Sequence, residues 1–102
     1  MTNLLFLFDD CKKFIVRIGE DGFIEECKKH SAAPCKIIAL NRLNEEPQVG
    51  AIILMERAQR LHVIKPYESL QSVCEYYGVL EDELLEYNAI SYIYPYQIVE
   101  IP

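Results

Sequence analysis

The sequence predicts an α+β chain of two small βααβ units in tandem, with an extra strand at the N-terminus. Three observations carry that reading. Val16 to Asn41 spans the same separation as Val63 to Asn88, so the chain repeats itself weakly. In each half a β-rich entry leads into two short helical patterns, the second ending at asparagine. A loop and a short apolar strand then close each half, AIILM at 51–55 and QIVEI at 97–101. The first unit is expected at 1–56, a joint at 57–61 and the second unit at 62–102.

NLLFLF and FIVRI (14–18), separated by DDCKK, read as two strands of a hairpin. Gly19 and Gly22 mark the next turn, and Phe23, Cys27 and His30 form one helical face. Pro34 suits a first helical position, and Ile37 with Leu40 gives the stripe that ends at Asn41. ERAQR (56–60) is polar and without apolar period, a natural joint. HVI (62–64) opens the second unit. Ser69 can cap a helix whose face is Leu70, Val73, Cys74 and Tyr77, and Gly78 can end it in the left-handed conformation. Glu81, Asp82 and Glu83 then occupy a first turn, where they complement the helix dipole. Leu80, Leu84 and Tyr87 share a stripe, and Asn88, tolerant of a left-handed backbone, stops this helix. In the closing strand Val99 and Ile101 share a face. Helices this short must pack to persist.

The chain has 102 residues, room for one ordinary domain or two very small ones. About half are hydrophobic, which excludes a disordered tail. The longest apolar runs, NLLFLF and AIILM, are too short to cross a bilayer. The first also lacks the basic flank and cleavage site of a signal peptide, so no leader is expected, although a chain starting after a removed leader reads the same. The compartment stays open. The net charge is −6, and no Lys or Arg follows Lys65, whereas Glu68, Glu75, Glu81, Asp82, Glu83, Glu86 and Glu100 do. That surface repels phosphates, so a nucleic-acid partner is not expected.

The four cysteines, Cys11, Cys27, Cys35 and Cys74, form no CxxC pair and read mainly as small buried hydrophobes. A Cys27–Cys35 disulfide and a zinc site with His30 and Cys11 stay open as alternatives. No nucleophile has a partner histidine at an informative spacing, and no Gly-rich phosphate loop is present. The expectation is a binding protein without a cofactor, not an enzyme.

Several landmarks of the second half stand in a telling order: PYESL (66–70), YGV (77–79), Leu84, Asn88 and PYQIVEIP (95–102). This order resembles the LysM domain, in which a Pro-Gly-Asp-Thr-Leu-like turn enters the first helix and a Pro-Gly-Gln turn precedes a Leu-x-Ile-Pro strand. The first half, over 14–56, resembles it more loosely, with GED from Gly19, NRL from Asn41 and VGAIILM from Val49. Here Tyr67 replaces the usual glycine of the first turn, and either offers a stacking ring or blocks the groove. Leu80 stands where Ser or Thr is common.

The resemblance implies binding of N-acetylglucosamine polymers, peptidoglycan or chitin, at a cell wall or spore envelope. It implies a shallow groove between Pro66, Tyr67, Glu68, Ser69 and Leu70 on one side and Ala89, Ile90, Ser91, Tyr92 and Ile93 on the other. In the first unit the corresponding residues are Gly19, Glu20, Asp21 and Gly22 opposite Arg42, Leu43, Asn44 and Glu45. Two weak sites on one chain gain by multivalency. The alternative is a degenerate pair used for protein assembly, with NLLFLF as an edge strand for a protein partner.

Overall fold

The computed structural model describes residues 13–102. The extra strand expected at NLLFLF, the edge it would offer, and Cys11 lie outside the described residues. Within them the chain is a small α+β protein of two two-stranded antiparallel sheets and four helices.

In the first unit β1 (Lys13–Arg17) pairs with β2 (Ile52–Glu56), with Phe14 opposite Met55 and Val16 opposite Ile53. Strand alternation sends these four inward and turns Ile15 and Ile52 outward. Between the strands run α1 (Phe23–Lys29) and α2 (Pro34–Leu40), which begins with Pro34 as expected. Phe23, Cys27 and Ile37 pack on Val16, Ile18, Ile53 and Met55 to form a first core.

The second unit repeats the layout. β3 (Leu61–Val63) pairs with β4 (Ile98–Glu100), and α3 (Leu70–Tyr77) and α4 (Glu81–Tyr87) lie between them. β3 takes in Leu61, the last residue of the expected joint, because Leu61 pairs with Glu100. Val73, Cys74, Leu84, Val99, Ile101 and Ile64 make a separate core. Ser69 caps α3: its hydroxyl accepts from the Ser72 N–H at 3.0 Å while its own N–H donates to Ser72 Oγ at 2.9 Å. Gly78 ends the helix at φ 70°. α4 has half of such a box, because Leu80 offers no oxygen and only Glu83 reaches back, its Oε1 3.3 Å from the Leu80 N–H. Of the expected stripe only Leu84 is buried; Leu80 and Tyr87 are exposed.

Asn41 ends its helix as expected, and Asn88 does so in a different way from the one expected. Asn41 and Asn88 have φ of −93° and −98°, and the left-handed residues are the ones that follow, Arg42 and Ala89. The carboxamides act instead as an artificial strand neighbour. Asn88 donates to the carbonyls of Leu84 (2.9 Å) and Glu100 (2.8 Å) and accepts from the Glu100 N–H (2.7 Å). Asn41 does the same with Ile37 (2.8 Å) and both backbone groups of Leu54 (2.7 and 2.9 Å). Each asparagine thereby satisfies the helix end and the outer edge of the closing strand together.

The units touch where α2 packs against β4. Lys36 and Glu100 form an ion pair at 3.0 Å across this contact. The joint is tied at both ends: the Ala58 N–H donates to Ser31 O (2.8 Å) and the Gln59 N–H to Glu100 Oε2 (3.3 Å). No helix among the described residues is long and apolar enough to cross a membrane.

Candidate functional site

β3 ends at Val63 opposite Ile98, where β4 begins. The loops 64–69 and 88–97 therefore issue from the same end of the sheet. In the first unit Arg17 opposite Ile52 places loops 18–22 and 41–51 in the same relation.

Loop 64–69 is a β-turn in which Lys65 O accepts from the Glu68 N–H at 3.0 Å, with Pro66 and Tyr67 at its centre. Tyr67 is not among the residues at positive φ, so this turn has no need of the missing glycine. Tyr67 stands 81 % exposed. Glu68 closes the turn from inside, accepting from the Lys65 N–H (2.8 Å) and from His62 Nε2 (2.8 Å). With Nε2 donating, His62 Nδ1 is left to accept from the Tyr77 hydroxyl at 2.8 Å. The Lys65 N–H first, and His62 second, hold the Glu68 carboxyl below its ordinary range. A β3 residue thus locks the loop that presents Tyr67.

On the facing loop, Ile90 and Ile93 turn in and pack on the second core, as Leu70 does across from them. Ala89, Ser91 and Tyr92 are exposed, Tyr92 by 68 %. Ala89, Ile90, Ser91 and Tyr92 wall a shallow hollow of about 240 Å³, completed by Cys35, Tyr94 and Gln97. That hollow takes no residue from 66–70. It opens toward the first unit, and a neighbouring hollow of about 280 Å³ continues it past Tyr96 to Ile24 and Ile38. The residues that sequence reasoning missed are these last ones. A signal for Tyr94 and Tyr96 was available in SYIYPYQ, where tyrosine recurs at 92, 94 and 96, but none pointed to Ile24 or Ile38.

The loops of the first unit differ in chemistry. The Gly22 N–H closes a turn on Gly19 O at 3.0 Å, and the Gly19 N–H donates to Glu26 Oε2 at 3.0 Å. A Cβ on Gly19 would stand 2.8 Å from that oxygen. Glu20, Asp21, Arg42, Asn44 and Glu45 are exposed, Leu43 is half-buried, and no aromatic ring sits on either loop.

Cys27, Cys35 and Cys74 are unbonded, so no disulfide joins Cys27 to Cys35. Burial pushes the Cys27 thiol up to about 12, with Glu46, Cys35 and Glu26 adding to it. Burial likewise raises Cys35 and Cys74. Such thiols stay protonated near neutral pH and make poor nucleophiles or ligands. Among the described residues no three His, Cys, Asp or Glu side chains cluster to hold a metal ion.

No protein-family model and no curated protein sequence matches the chain. Among solved structures it is similar to the spore cortex-lytic enzyme SleL of Bacillus cereus, at 22% identity over 88% of this chain and 22% of that one, TM-score 0.41. It is also similar to SleL of Bacillus megaterium, at 20% identity over 89% of this chain and 23% of that one, TM-score 0.45. The chain thus spans less than a quarter of the length of either enzyme.

Proposed function

We propose that the chain is a non-enzymatic, LysM-like binding module for N-acetylglucosamine-containing glycans, peptidoglycan or chitin, at a cell wall or spore envelope. One observation carries the reading: two loops from the same end of the second sheet each present an exposed tyrosine, Tyr67 and Tyr92. Tyrosine rings lie against pyranose faces while their hydroxyls stay wet, and backbone groups of loops are able to bond an acetamide. The ordered landmarks from Pro66 to Pro102 point the same way. The acidic surface suits a neutral glycan, which chitin is and carboxylate-bearing peptidoglycan is not. Co-sedimentation with insoluble peptidoglycan and with chitin at low salt tests it. The chain is expected in the pellet with at least one of them; its staying in the supernatant with both would remove the reading.

A second reading is assembly through the first unit. Ile15 and Ile52 lie 64 % and 63 % exposed on the outer face of the first sheet, while the loops of that unit carry no ring. In that case the first unit docks a protein and the second alone holds the sugar.

A further inference from the structure

The two hollows beside Tyr94 adjoin, and they are built by both units. Ile24, Cys35 and Ile38 come from the first unit, and Tyr94, Tyr96 and Gln97 from the second. They hold about 280 and 240 Å³ and have Cys35, Tyr94 and Gln97 as common walls, together the space of a small-molecule site. Lys36 is paired with Glu100 on the same helix–strand contact.

The tyrosine rim is maintained against local backbone preference. In the turn Tyr94–Pro95–Tyr96–Gln97 the Gln97 N–H bonds Tyr94 O at 3.2 Å, and Tyr96 has φ 68°. Proline followed by a positive φ is the signature of a type II turn, whose third position belongs to glycine. A tyrosine there is strained, and strain held in place by its surroundings marks functional positions. The side chain it carries is 72 % exposed, so packing does not explain it. Tyr94 lines the same hollow as Tyr96, and its ring centroid lies 6.0 Å from that of Tyr92. Among the described residues Glu46 is the one carboxylate on the walls of the two hollows and no Lys or Arg lines them, which disfavours phosphates and other anions. Aromatic faces over an apolar floor fit a neutral acetylated sugar ring.

We infer that the junction of the two units is a second glycan subsite, so that one sugar chain runs from the Tyr92 loop across Tyr94 and Tyr96 onto Ile24 and Ile38. This rests on the glycan-binding reading above and makes the pair of units, rather than each unit, the binding element. The test is a titration of the whole chain, labelled at isoleucine methyls, with chitohexaose. The methyls of Ile24 and Ile38 are expected to shift in step with that of Ile90. Shifts at Ile90 with Ile24 and Ile38 silent would overturn the junction subsite while leaving glycan binding intact. No shift anywhere, with chitohexaose or with a soluble peptidoglycan fragment, would overturn both. Tyr96→Gly gives a second readout, since glycine relieves the turn and keeps the fold. It is expected to melt no lower than the parent and to bind chitohexaose about three- to tenfold more weakly. Unchanged affinity in this variant would also contradict the subsite.

Discussion

Lys36 Nζ lies 3.0 Å from Glu100 Oε1 and 3.7 Å from the centroid of the Tyr87 ring, joining the second helix of one unit to the last strand of the other. Both charges are largely withdrawn from water, so removing one strands the other. Lys36→Met is expected to cost about 1–3 kcal/mol in chemical denaturation, with Glu100 left partly solvated. Lys36→Met with Glu100→Met should recover part of that loss. Backbone ¹⁵N relaxation should give one tumbling time for the parent and two for the single variant.

Asn88 tests the helix-to-strand bridge. Asn88→Ala leaves the Glu100 N–H and C=O without their partner in a buried setting, an expected loss of about 2–4 kcal/mol. Asn88→Asp should do no better, because a carboxylate cannot donate to Leu84 O and Glu100 O. Asn41→Ala should lose less, since Asn41 is only half-buried and water can enter. Urea midpoints for the three variants decide the order.

Glu68 sets an acid limit. Its folded pKa is lowered, so its contribution is complete above the unfolded carboxylate range, near about 4.3, and is lost as pH falls through the folded value. Melting temperatures of the parent should therefore drop more steeply below about pH 4 than those of Glu68→Gln. Parallel curves would mean that the turn is not held by this carboxylate.

The thiols set an alkaline limit of opposite sign. Cys27 has its folded pKa raised to about 12, so the unfolded chain loses that proton first, above about pH 8.5. Stability is expected to decline from there upward, and Cys27→Ala should flatten the decline. In the native protein at pH 8, Cys27 should resist alkylation that the urea-unfolded chain undergoes readily.

Ser69, Gly78 and Pro34 announce their helix ends because capping is local chemistry, decided by one residue and its nearest amides. The buried Val73, Cys74, Val99 and Ile101 were legible from period alone. Asn88 was recognised as a stop, but its bond to Glu100 depends on a strand that follows twelve residues later, which no local pattern contains. Tyr87 looked like core because its stripe ignores the other unit; it lies instead under the Lys36 ammonium at the contact. The hollow past Tyr94 was invisible for the same reason, since half its wall comes from Ile24, Cys35 and Ile38 in the preceding unit.

Glycan recognition by the exposed tyrosines is tested most directly by calorimetric titration with chitohexaose of the parent and of the double variant Tyr67→Ala, Tyr92→Ala. Both rings are solvent-exposed, so the double variant should melt with the parent. The account predicts saturable heat for the parent and its loss in the variant. No heat from the parent with either chitohexaose or a soluble peptidoglycan fragment, or equal affinity in the two proteins, would contradict it.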